Sequence, residues 1–196
     1  MSEAAVKTLQ SAEVANLLIK LGNRTIVLVG MMGAGKSSIG RRLASELNLP
    51  FVDADAEIEA AAGMAISEIF EVHGEPYFRS GEARVIARLL ESGPQVMASG
   101  GGAFINPQTR ALIGARGISV WLKADLDILL RRIKRRSDRP LLKTDDPERT
   151  LQRLIDERYP IYAEADVTIH SRDVSHEAIV ADIVAALTER LTGASQ

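Results

Sequence analysis

Between Gly30 and Ser37 the sequence reads Gly-Met-Met-Gly-Ala-Gly-Lys-Ser, two glycines spaced Gly30-x-x-x-x-Gly35 and followed at once by Lys36 and Ser37. That pattern lets successive backbone N–H groups curl around phosphate oxygens. Lys36 can then reach the β- and γ-phosphates of a nucleoside triphosphate, and the Ser37 hydroxyl can meet Mg2+. Gly33, Ala34, Gly35, Lys36, Ser37 and Ser38 are the expected ATP cradle. A ligand-free glycine-rich turn is the plain alternative, but it calls for neither the lysine nor the hydroxyl. Some distance on, Phe51-Val52-Asp53-Ala54-Asp55 offers two carboxylates at one strand end. They are suited to hold Mg2+, directly or through water, or to orient an acceptor hydroxyl. Taken alone they also read as solvated caps of the next helix.

The elements that must carry these groups alternate between strands and helices. Thr25–Val29 is a continuous, β-branched apolar run, as expected of a strand covered on both faces, and the phosphate loop joins it to a helix over about Lys36–Leu47. Further strands are expected at 50–53, 95–98, 118–122 and 166–169. Helical pieces fill 54–92, broken near Gly63 and around His73-Gly74, and a helix capped by Asn106 with Pro107 at its first position follows. Asp125–Arg136 is amphipathic. Asp146-Pro147 opens a helix expected to end before Pro160, and Ser175 caps a closing helix with Ile179, Ile183 and Leu187 inward. Five strands alternating with helices give a three-layer α/β/α sandwich around a five-stranded, mostly parallel sheet. Ligands then belong beyond the carboxyl ends of the strands.

Composition narrows the classes. The 196 residues, 46% hydrophobic and with a net charge of −2, fit one domain with no global attraction to nucleic acid or to an anionic surface. Absence of cysteine removes disulfides, thiolate zinc sites and thiol nucleophiles. No apolar run nears the roughly 20 residues needed to span a bilayer, and no basic and apolar leader opens the chain, so a cytoplasmic protein is expected. Residues 1–22, with Val14, Leu17, Leu18 and Leu21 at helical spacing, form an N-terminal helical extension ahead of a single domain at 23–194. The basic run Arg131, Arg132, Lys134, Arg135 and Arg136 has no interleaved aromatics, and reads as a helix face leading to a phosphate-handling segment rather than a nucleic-acid patch. His73, His170 and His176 fall outside every motif and need no catalytic role, and Trp121 belongs in the core of its strand.

Six segments together resemble the shikimate kinase family: "GMMGAGKSSIGRRLA" its phosphate loop, "FVDADAEIE" its D-x-D segment, "EPYFRSGE" its F-R-x-x-E segment, "ASGGGA" its triple glycine, "SDRPLL" its R-P-L-L lid motif, and "ERYPIYAEAD" its R-x-P-x-Y segment. They run in order from Ile26 to about Ile169. The resemblance implies a P-loop kinase fold with a mobile lid at about 137–146, and transfer of the γ-phosphoryl group of MgATP to the 3-hydroxyl of shikimate without a phospho-enzyme. It implies that Arg79 and Arg158 hold the acceptor carboxylate, that Asp55 takes the ring hydroxyls, and that the backbone of Gly100, Gly101 and Gly102 approaches the ring. Arg139 of the lid would reach the transferring phosphate, Arg132 would stack on adenine with Pro140 nearby, and Ser37 with Asp53 would organise the metal. Lys36, Asp55 and Arg139 are the expected catalytic set. A monomer with no nucleic-acid or membrane partner is expected. Met31 and Ser37 stand where the family often has Phe or Pro and Thr, and Ala98-Ser99 supplies no acidic strand end, so metal ligation leans on Ser37 and Asp53. Gluconate or adenylylsulfate kinase activity is the nearest alternative, and a nucleotide-dependent switch is the alternative from another class.

Overall fold

The structure is a computed structural model, and it describes residues 3–134, 146–172 and 174–193. Five strands, β1 (Thr25–Val29), β2 (Phe51–Asp53), β3 (Val96–Ala98), β4 (Gly117–Lys123) and β5 (Val167–His170), form one sheet in the order β2-β3-β1-β4-β5. Every pairing is parallel, with Ile26 opposite Val96 on one side and Ile118 on the other. Strand β1 is therefore central, and all five of its residues are buried, which is why a run of β-branched and aliphatic side chains forms it. Its two neighbours diverge into opposite halves of the sheet, so a crevice opens at the carboxyl end of β1.

The helices are α1 (Glu3–Leu21), α2 (Lys36–Glu46), α3 (Ala54–Ala62), α4 (Ile66–Leu89), α5 (Pro107–Arg116), α6 (Leu126–Lys134), α7 (Pro147–Tyr162) and α8 (His176–Gly193). Their ends follow local chemistry. Asn106 accepts from the N–H groups of Gln108 and Thr109, Asp146 from that of Arg149, and Ser175 from that of Ala178. Gly63 closes α3 at φ 67°, and Gly74 bends α4 at φ 78°, where the sequence already suggested breaks. Helix α1 lays Leu17 and Leu21, 2% and 1% exposed, into the same core as the sheet, against α8.

One boundary differs from the sequence reading. Helix α7 does not stop before Pro160 but continues to Tyr162. Proline removes one N–H, and so late in the helix that loss falls on a single hydrogen bond. Tyr159 and Tyr162, one on either side of the proline, donate their hydroxyls to the carbonyls of Ala124 and Gly101 and hold the last turn in place. The expected lid lies, apart from Asp146, outside the described residues, as do Arg139 and Pro140.

Candidate active site

The phosphate loop sits at the crevice. Gly30 has φ 132°, and a Cβ there would lie 2.8 Å from the carbonyl oxygen of Leu122, so glycine alone lets the chain leave β1 beside β4. Helix α2 then begins at Gly35 with no side-chain cap and no acidic residue in its first turn. Its first N–H groups are thus left to an anion, with the partial positive end of the helix behind them. Lys36 folds back over the loop, donating to the carbonyls of Gly30 at 2.8 Å and Met31 at 3.0 Å. Gly33, Gly35, Lys36, Ser37 and Ser38 line one chamber with Asp53, Asp55, Ser99 and Gly101. Ala34 is buried behind it.

A second chamber adjoins the first, lined by Asp55, Arg79, Glu82, Arg158 and Gly100 to Gly102 over an apolar floor that includes Met32, Ile66, Phe70 and Phe78. The structure thus gathers all six residues expected at the acceptor, Asp55, Arg79, Gly100, Gly101, Gly102 and Arg158, from four separate segments. Arg79 projects from α4 and donates to Glu82 Oε2 at 2.7 Å and to Glu75 Oε1 at 3.0 Å, its plane 5.0 Å over the Phe78 ring. Burial alone would lower the Arg79 guanidinium, but the two glutamates outweigh it and raise it above its ordinary value, so it stays charged. Arg158, on α7, donates to the carbonyl of Gly101 at 3.2 Å. The glycines are needed for close approach: a Cβ on Gly102 would fall 2.5 Å from the Arg79 guanidinium, and one on Gly100 would fall 2.5 Å from Glu82 Oε1 and 2.9 Å from Asp55 Oδ1. The turn is pinned to the phosphate strand by Ser99, whose N–H and hydroxyl both donate to the Leu28 carbonyl.

Asp53 combines both sequence readings, accepting from the Asp55 N–H as the cap of α3 while lining the phosphate chamber with Ser37. Among the described residues, no three His, Cys, Asp or Glu side chains gather as a metal group. The oxygen donors lining the phosphate chamber are the hydroxyls of Ser37, Ser38 and Ser99 and the carboxylates of Asp53 and Asp55. An all-oxygen set of this kind fits Mg2+, which keeps its waters and takes much of its coordination from substrate phosphates.

Arg132 closes the far wall of the phosphate chamber. It donates to the carbonyl of Ala34 at 3.2 Å and to Ser171 Oγ at 2.8 Å, so its plane is fixed between the phosphate loop and the end of β5. Two residues beyond the sequence assignments join the site. Glu82 is 3% exposed in the acceptor chamber, and its signal was an acid one helical turn after Arg79 in "EPYFRSGE". His176 lines the phosphate chamber near Arg132. Its signal was position, since it opens the helix after the fifth strand, on the edge of the sheet where ligands bind.

This arrangement, a triphosphate-binding loop beside a small chamber holding two arginines and two carboxylates, has close parallels. A family model described as Shikimate kinase matches residues 32–188. A protein called Shikimate kinase from Bradyrhizobium diazoefficiens is 61% identical over 193 residues, covering 98% of this chain and 93% of that protein. One of the same name from Rhodopseudomonas palustris is 61% identical over 185 residues, covering 94% and 91%. Among solved structures, a shikimate kinase from Acinetobacter baumannii in complex with shikimate superposes with a TM-score of 0.83 at 35% identity, covering 91% of this chain and 98% of that one. Sequence, fold and site therefore agree that this chain belongs to the shikimate kinase family.

Proposed function

We propose that this chain transfers the γ-phosphoryl group of MgATP to the 3-hydroxyl of shikimate, giving shikimate 3-phosphate and ADP. The observation that carries the reading is the shared wall: Asp55 and Gly101 line both the phosphate chamber and the chamber of Arg79 and Arg158. An acceptor anchored by its carboxylate on those arginines presents a hydroxyl to the γ-phosphate across Asp55. The planar guanidinium donors match a carboxylate in a bidentate way, and the two carboxylates, Asp55 and Glu82, suit ring hydroxyls.

Phosphoryl transfer passes through a loose transition state, so positioning and charge neutralisation are the protein's main tasks. In this reading the acceptor oxygen bonds to the γ-phosphorus as the bond to the β-γ bridging oxygen breaks, in line and with no enzyme-bound phosphate. Lys36 and, from the lid, Arg139 neutralise the equatorial oxygens. Asp55 orients the attacking hydroxyl and accepts its proton, and Arg132, with Pro140 nearby, holds the adenine. Ser37 and Asp53 would hold Mg2+ together with ATP, and the ion when bound would supply further neutralisation of the charge on the leaving group. Closure of the segment at 137–146 excludes water, which competes for the same phosphoryl group.

No helix among the described residues is long and apolar enough to cross a membrane. We take the protein to act in the cytoplasm as a monomer without nucleic-acid partners. The test is ADP release from MgATP with shikimate, gluconate, adenylylsulfate or no acceptor. Turnover with shikimate alone is expected. Turnover with another acceptor overturns the assignment of the chamber, and MgATP binding without product from any acceptor points to a switch.

A further inference from the structure

Two side chains of α7 grip the carbonyl of Gly101, in the acceptor loop, at once. Arg158 donates to it at 3.2 Å, and the hydroxyl of Tyr162 donates to it as well. On its other side the same residue abuts the phosphate loop, where a Cβ on Gly101 would lie 3.3 Å from the Met32 nitrogen. Gly101 is thus a partition, clasped between α7 and the phosphate loop, and it lines both chambers. Tyr162 itself is fully buried, packed against Phe104 and Trp121 with ring centroids 6.4 and 5.9 Å away. It lines neither chamber, so it does not touch the acceptor.

We propose that Tyr162 is a positioning residue for the acceptor: its hydroxyl holds the Gly101 carbonyl, which keeps the partition in place and leaves Arg158 available to the acceptor carboxylate. The proposal rests on the function proposed above. A carbonyl oxygen has two lone pairs. With the tyrosine permanently on one of them, the longer bond from Arg158 can be exchanged for an anion without orphaning a buried carbonyl. Without the hydroxyl, that carbonyl depends on Arg158 alone, and drawing the guanidinium toward a carboxylate leaves it unpaired at a cost. Burial pushes the phenol up to about 12, against the pull of Arg158, so it remains a proton donor throughout the neutral range.

Tyr159 provides a matched comparison one turn earlier on α7. Its hydroxyl also donates to a backbone carbonyl, that of Ala124, but it borders no part of the acceptor chamber. The experiment measures KM for shikimate, KM for ATP, kcat and Tm for the unaltered chain, Tyr162→Phe and Tyr159→Phe. The expected result is a five- to twentyfold rise in the shikimate KM for Tyr162→Phe, on the order of one buried hydrogen bond to a polar partner, with the ATP KM within about twofold. Tyr159→Phe is expected to lower Tm without separating the two constants. A shikimate KM within twofold in Tyr162→Phe, or equal rises in both constants, overturns the proposal. Should that variant fail to fold, 4-fluorophenylalanine at position 162 fills the volume of the phenol without donating, and the same two results decide. Absence of shikimate-dependent turnover in the unaltered chain is read before any variant is compared, and it overturns the proposed function instead.

Discussion

Glu82 sets one carboxylate oxygen, Oε2, 2.7 Å from the Arg79 guanidinium and leaves the other, Oε1, buried with no hydrogen-bond partner among the described residues. Burial pushes the Glu82 carboxyl up, Arg79 pulls it back, and Asp55 adds to the rise. A buried acceptor left unpaired costs free energy, so the arrangement persists where a ligand hydroxyl, or a water, completes it. The ion pair also fixes the fork of Arg79, which would otherwise swing over an open chamber.

Replacing Glu82 by Gln keeps the shape and removes the charge. Arg79 then loses a charge-assisted bond of roughly 1.5–3 kcal/mol. Part of that loss falls on acceptor binding, and the expected outcome for Glu82→Gln is a shikimate KM raised about tenfold, or ~1.4 kcal/mol, with the ATP KM unchanged. Steady-state kinetics with each substrate varied in turn check this, and an unchanged shikimate KM sinks it.

Arg79→Lys asks a different question of the same contact. Lysine keeps a positive charge but loses the planar pair of donors, so it cannot grip a carboxylate with two parallel bonds. The shikimate KM is expected to rise at least tenfold while the ATP KM stays within about twofold. Equal effects on both would contradict the placement of Arg79 in the acceptor chamber.

Local signals in the sequence placed most of these elements, because each is decided within a few residues. The apolar run of β1, the Gly30 to Ser37 spacing, the Asn106 cap and the breaks at Gly63 and Gly74 all reflect short-range chemistry, and the structure shows each where expected. The end of α7 was not legible, because what carries the helix past Pro160 is a pair of hydroxyls reaching Gly101 and Ala124, 61 and 35 residues away in sequence. Glu82 and His176 were missed for the same reason: their roles come from which other elements they face. Gly101 as a partition is likewise a property of the sheet order, which sets β3 beside β1, and not of the triple glycine itself.

Asp166 ties the far half of the sheet together and gives a pH-dependent stability. Its carboxylate accepts from the Ser119 N–H at 2.9 Å, from the Ser119 hydroxyl at 2.8 Å and from Arg190 at 3.3 Å. Burial alone would raise the Asp166 carboxyl, but the bonds from Ser119 and Arg190 outweigh it and hold it below its ordinary 3.8. A depressed carboxyl binds its proton more weakly in the folded state than in the unfolded state, so its contribution is fully present above the ordinary value and is lost as pH falls through the folded one. Asp166→Asn is therefore expected to lower Tm at pH 7, with the gap to the unaltered chain closing as pH drops below about 4. Thermal melts from pH 3 to 7 measure it, and a gap that does not change with pH refutes the assignment.

His176 opens α8 on the wall of the phosphate chamber near Arg132, whose plane is held by Ala34 and Ser171. The ring is half-buried there, and a flat side chain on that wall would cover part of a nucleotide whose phosphates lie in the loop. Stacking of a base on an aromatic ring contributes roughly 1–3 kcal/mol. His176→Ala is accordingly expected to raise the ATP KM five- to tenfold while leaving the shikimate KM at saturating ATP within twofold. His176→Phe separates the flat ring from its nitrogens: if the flat face is what matters, the ATP KM returns toward that of the unaltered chain, and if it stays as high as in the alanine variant, the imidazole acts through its nitrogens. An ATP KM unmoved by His176→Ala removes the residue from the nucleotide site altogether and leaves Arg132 to hold that wall without it.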